Sequence, residues 1–184
     1  MRLYVPATLD DLEPAVVSAT AASWTVPAGT AHAVTPALAA SLPGEDVEGL
    51  EWHAFLAAAH DSLVRLAGSA GGAVPLRVVV TVEVPDDAVV VPAGGVEGGA
   101  DVPSRVQVSR DLPGTALVAV HVDEPEAAED VADVLRAADE ESDADASGGV
   151  AQESQGAFDD ALQRVTDRDL LWYDPSEIPA IPRP

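Results

Sequence analysis

The chain has no cysteine and no lysine. Without cysteine there is neither a disulfide scaffold nor a thiolate metal site, and the composition suits a reducing cytosol. Without lysine a phosphate-binding P-loop cannot be built in its usual form, because that loop needs an ammonium against the phosphates. Aromatics are scarce: three Trp, two Tyr and two Phe in 184 residues. The 47% apolar content is therefore mostly Ala and Val, which predicts a core of small and β-branched side chains. No apolar run approaches the roughly 20 residues that span a bilayer. The opening Met-Arg-Leu-Tyr-Val-Pro-Ala-Thr lacks the apolar stretch of a signal peptide. These absences predict a soluble cytoplasmic protein long enough to bury a core.

Carboxylates are what the chain has in excess. Thirty-two acids face nine arginines, for a net charge of −23. Between Asp123 and Asp160 fourteen carboxylates face Arg136 alone, so the acidity is concentrated near the C-terminal end. Such a charge excludes nucleic acid and anionic membranes as partners, since both recruit Lys and Arg and repel carboxylates. It is compatible with simple solubility, with adaptation to high salt, or with docking of a basic protein.

Periodicity predicts strands over 2–6 and 77–84, with further strands around 31–35, 89–91, 105–109 and 115–122. Helices are predicted over 9–19, capped by Thr8 and Asp11, and over 36–41, with Thr35 as N-cap and Pro36 at the first position. The longest runs from Val47 to Ala67 through a stripe of Trp52, Leu56, Ala59, Leu63 and Leu66. Residues 92–101 read as a flexible Gly-rich loop, and Ala127 to Ala138 as a helix. The composition of 139–156 predicts an acidic disordered linker. A helix from Phe158 and the apolar run Leu170 to Tyr173 follow, with Asp174-Pro175-Ser176-Glu177 spaced as a capping box.

The expected organisation is an α+β domain over 1–138, the linker over 139–156, and a C-terminal helix and apolar segment over 157–184 docking back. The sheet is expected to be mainly antiparallel, with helices on one face and Val78, Val80, Val82 and Val84 beneath them. The opposite, mixed face would carry Arg2, Tyr4, Arg77, Thr81, Glu83, Gln107 and His121.

Candidate chemistry is thin. His121 and Asp123 lie two apart on a strand and share a face, but no nucleophile or metal partner goes with them. His53 and His60 are seven apart on one helix, too wide for one metal without help. The Gly68–Gly72 and Gly94–Gly99 runs match no phosphate cradle, and no Gly-x-Ser-x-Gly elbow occurs. No cofactor and no metal site is implied. The residues best placed for a ligand, at strand ends, are Thr8, His32, Thr35, His121 and Asp123. Those best placed for a partner surface are Arg2, Tyr4, Arg77, Glu83, Trp172 and Tyr173.

Met1-Arg2-Leu3-Tyr4-Val5-Pro6-Ala7-Thr8-Leu9, Ala33-Val34-Thr35-Pro36, the Val78–Pro85 strand, Ala119-Val120-His121-Val122-Asp123-Glu124 and Leu170-Leu171-Trp172-Tyr173 occur in this order. Together they resemble a family of short actinobacterial proteins containing a domain of unknown function. The resemblance implies one cytoplasmic domain and brings no activity, cofactor or catalytic residue. The expected function is non-enzymatic binding of another protein or of a second copy. The alternatives are a small-ligand sensor or enzyme built around His121 and Thr35, and an acidic docking module for a basic protein.

Overall fold

The structure is a computed structural model and describes residues 1–69, 72–92, 102–147 and 151–184. Its strands are β1 (Arg2–Ala7), β2 (Val16–Val17), β3 (Ala22–Val26), β4 (Gly29–His32), β5 (Val78–Glu83), β6 (Val89–Val90), β7 (Arg105–Val108), β8 (Leu112–Asp123) and β9 (Leu170–Tyr173). The helices are α1 (Pro36–Ser41), α2 (Val47–Gly68), α3 (Ala128–Ser147) and α4 (Ala151–Thr166). All strand pairs are antiparallel, in the order β2-β3-β8-β5-β1-β4-β7-β6, with β9 added to β8. This is an α+β architecture. The expected 92–101 loop lies, beyond Pro92, outside the described residues.

Alternation on β5 separates two of the apolar clusters, while a third joins Leu63 and Leu66 of α2 to Val131 and Val134 of α3 and Ala161 and Val165 of α4. Val78, Val80 and Val82 join Leu3, Val5, Trp24, Val106, Val120 and Val122 in the main core. Each fully buried valine there contributes about 1.5–3 kcal/mol relative to exposure. The other face, with Tyr4 and Val79, packs against Leu50, Ala54, Phe55, Ala58 and Ala59 of α2. The long helix thus covers the mixed face and not the valine face, which reverses the expected placement. Leu9, Leu12, Ala127 and Ile181, from short 3-10 turns or beside them, close the valine side.

The burial of α2 explains the reversal. Its inward face is rich in alanine, so the helix axis can approach the sheet closely, while Trp52 and Leu56, expected in the buried stripe, stand half exposed at its edge. Ser62 fixes the depth: its Oγ donates to the Ala7 carbonyl and accepts from the Val78 amide at 2.8 Å each, tying the helix to the ends of β1 and β5.

Two further expectations need revision, and the linker expected over 139–156 is described only in part. The predicted helix over 9–19 is a single 3-10 turn, Asp10–Leu12, although Thr8 and Asp11 make their cap bonds. Pro14 and the β-branched pair Val16-Val17 stop it, and Val16-Val17 become β2. β8 does not alternate evenly. Thr81 pairs with Ala119 and Val82 with Leu117, so Val118 is an extra, bulged residue. The bulge brings Leu117 into the core with Val120 and turns Val118 out among the groove-lining residues with Ala119 and His121. Finally, the backbone over 139–147 continues α3 and that from 151 belongs to α4, with 148–150 outside the described residues. A polar composition removes the burial that would hold such a stretch in place, yet Ala, Glu and Gln are good helix formers.

Other elements fall where the sequence put them. Thr35 caps α1 by accepting from the Leu38 amide at 3.0 Å. Asp174 and Glu177 form the capping box of the 3-10 helix Pro175–Ala180. Leu170–Tyr173 is a strand pairing with the last four residues of β8. Among the described residues no helix is long and apolar enough to cross a membrane.

Candidate functional site

Strand register brings together one groove on the α2 side of the sheet. Arg2 of β1 opposes Glu83 of β5; one step on, Tyr4, Thr81 and Ala119 lie side by side across β1, β5 and β8. The next rung runs Val79, His121 and Trp172 across β5, β8 and β9. Glu48, Glu51, Trp52 and Phe55 of α2 form one wall, and Asp169, Leu170 and Trp172 the other. The space between them is about 620 Å³, within the range of small-molecule sites.

Phe55 is the hub of the aromatic lining. It stacks on Trp52 with ring centroids 5.3 Å apart, meets Tyr4 edge-on at 6.2 Å, and meets His121 at 4.9 Å and 67°. Trp52 and Trp172 are half exposed, at 50% and 58%. At the rim Arg2 binds Glu51 at 3.2 Å and Glu83 at 3.3 Å. The Glu51 charge, then the Glu83 hydrogen bond, raise the Arg2 pKa above its ordinary value. Burial, with the neighbouring Glu51 charge, pushes the Tyr4 phenol up to about 12. Burial lowers His121 from its ordinary value, so its imidazole is neutral at physiological pH.

Two polar atoms on this lining are buried and have no hydrogen-bond partner: Thr81 Oγ1 and His121 Nδ1. Thr81 is only 4% exposed. Buried polar atoms are nearly always paired, and leaving one unpaired costs about 1–3 kcal/mol.

Of the five residues expected to bind a ligand, only His121 lines this groove. Thr8 caps the turn at Asp11. Thr35 caps α1 and donates to the Pro103 carbonyl. Asp123 is 1% exposed and accepts from the Arg77 amide at 2.7 Å, Nη2 at 2.7 Å and Nε at 3.0 Å. His32 is enclosed between Ser104 Oγ, 2.9 Å from Nδ1, and Asp61 Oδ2, 3.0 Å from Nε2. A serine, a histidine and an aspartate in line invite comparison with a nucleophilic triad. However, Ser104 is 2% exposed and His32 fully buried, neither lines the groove, and both already have partners within the fold. Burial pushes Asp61 up, but the His32 hydrogen bond, with the charges of His32, Arg105 and His60, outweighs it and leaves its pKa lowered.

Of the six expected partner-surface residues, Arg2, Tyr4 and Trp172 line the groove and Glu83 holds Arg2 at its rim. Tyr173 faces the main core, and Arg77 is the buried partner of Asp123. Sequence reasoning missed Phe55 and Glu51 as lining residues, and Asp169 carried no signal of its own. Phe55 and Glu51 lie four apart, which puts them on one helix face beside the strand face that was recognised. Among the described residues no group of three His, Cys, Asp or Glu is placed to hold a metal.

Over residues 1–181 the chain matches the model of a family of unknown function (DUF6912), and it belongs to that family. No curated protein matches it, and no solved structure does.

Proposed function

We propose that the protein is a non-enzymatic binding protein whose ligand seats in the groove between α2 and strands β1, β5, β8 and β9. The observation that carries this reading is the unpartnered pair Thr81 Oγ1 and His121 Nδ1 beneath aromatic walls. A ligand group that bonds both atoms would convert a standing cost into binding energy. Among the described residues no hydrogen bond joins His121 to a hydroxyl or a carboxylate, and no group of acidic or His side chains is placed to hold a metal, so binding is the better reading than catalysis.

The test is a thermal-shift screen of metabolites followed by titration on the full chain. A ligand at 100 times its dissociation constant stabilises by about 2.7 kcal/mol. Thr81→Val should raise the unliganded melting temperature, because it removes an unsatisfied hydroxyl, and should abolish the ligand-induced shift. A Thr81→Val or Trp172→Ala protein that keeps the full shift would refute the site. A protein partner is the second reading, favoured by the exposed Trp172 and Val118 on the groove lining. Co-purification that depends on Trp172 but not on Thr81 would select it.

A further inference from the structure

The chemistry of the lining narrows the ligand class, and this inference rests on the binding reading above. The groove carries Glu48, Glu51 and Asp169 against Arg2, whose guanidinium already binds Glu51 and Glu83. Among the described residues Glu48 and Asp169 have no cationic partner. A carboxylate or phosphate entering this space would meet uncompensated negative charge. A cation would meet two unpaired carboxylates and the negative π-faces of Trp52, Phe55 and Trp172.

The floor can serve the same ligand. Thr81 Oγ1 offers lone pairs, and a neutral imidazole protonated on Nε2 offers Nδ1 as an acceptor. Both can accept from N–H groups, which a protonated nitrogen base supplies; an anion could meet Thr81 only by accepting its hydroxyl proton. We propose that the groove takes an organic cation, a protonated amine, amidine or guanidine carried on a flat apolar body. The body would lie between Trp52 and Trp172, with N–H groups reaching Thr81 and His121 and the charge neutralised by Glu48 and Asp169. Thr81 makes this more than a cluster of acids, because its hydroxyl is buried, lines the groove and has no partner within the protein.

Benzamidinium, neutral benzamide and anionic benzoate share one body and differ in charge. Titrating each into the full chain, followed by calorimetry and by the fluorescence of Trp52 and Trp172, separates charge from shape. Benzamidinium should bind at least tenfold more tightly than benzamide, with benzoate weakest. Glu48→Gln combined with Asp169→Asn should remove about that tenfold preference and leave benzamide unchanged. Glu140→Gln, an exposed acid on α3, should leave all three unchanged, which separates the site from the general attraction of an acidic protein for cations. Benzoate or benzamide binding as tightly as benzamidinium would overturn the cation while the groove stands. Silence from all three probes at millimolar concentration would overturn it too. The binding reading itself falls if ligands from the wider screen keep their full shift with Thr81→Val or with Trp172→Ala.

Discussion

Replacing Arg77 with methionine tests whether its ion pair with Asp123 is structural. The two side chains are 8% and 0% exposed, and the guanidinium reaches both carboxylate oxygens while Nη2 also donates to the Arg168 carbonyl at 3.0 Å. Arg77→Met strands a buried carboxylate, and removing one member of such a pair costs about 3–5 kcal/mol. The Arg77 backbone amide still donates to Asp123 after the substitution, which places the expected loss near the lower end, about 3 kcal/mol. For a chain of this length about 1 kcal/mol moves the melting temperature by about 2–4 °C, so the fall should be about 6–12 °C. Urea unfolding followed by far-UV circular dichroism and by tryptophan fluorescence gives the free energy, with an unchanged m-value as the check that the unfolded state is the same. Arg77→Met with Asp123→Asn removes both buried charges while an amide oxygen still accepts from the backbone N–H of residue 77, and should recover part of the loss. A single variant within about 1 kcal/mol of wild type, or a double variant as damaged as the sum of the singles, would refute the assignment.

Two further outcomes follow from the packing. Ser62→Ala leaves the Ala7 carbonyl and the Val78 amide without their shared hydroxyl, and should cost about 1–3 kcal/mol in urea unfolding; a neutral result would mean the two backbone groups find each other directly. Burial lowers His121 in the folded chain, so below the ordinary value of 6.5 the unfolded chain takes up the proton first and stability falls as pH falls through that window. Wild type should therefore lose more stability between pH 7.5 and 5.5 than His121→Phe, and equal losses would show that His121 is not shielded from protonation.

What the sequence disclosed depends on the range of the interaction. The Thr35-Pro36 start of α1 and the Asp174–Glu177 box are decided within four residues, and both read correctly. Two-residue alternation on β5 was equally plain, and it identified Tyr4, Thr81 and His121 as one face. Features that need a distant partner were hidden. The bulge at Val118 exists only in register with Thr81 and Val82, and nothing in Leu117-Val118-Ala119 announces it. Arg77 looked like an exposed strand residue because its counter-ion lies 46 positions away. Alternation makes the valine face the apolar one, which places the helices over it, and the expected α2 stripe runs through Trp52 and Leu56. The packing instead favours the alanine-rich face, where close approach outweighs side-chain bulk. Phe55 was hidden for a related reason, since an aromatic on an amphipathic helix reads as core until its neighbours across the groove are known.

The acidity divides along structural lines that its distribution in the sequence does not reveal. Within the segment from Asp123 to Asp160, Asp123 is buried against Arg77. Glu124 and Asp130 bind Arg168, Asp130 and Asp133 bind Arg164, and Asp133 binds Arg136. These carboxylates join α3 to α4 and to the end of β8, and are not open to a basic partner without giving up those pairs. That weakens the docking-module reading for the part of the segment nearest the sheet. Among the described residues the carboxylates lining the aromatic groove are Glu48, Glu51 and Asp169, all outside the acidic segment. A net charge of −23 raises the local concentration of any cation near the surface. Selection among cations has to come from a place where charge, π-faces and unsatisfied acceptors coincide, and among the described residues the groove between α2 and β9 brings all three together.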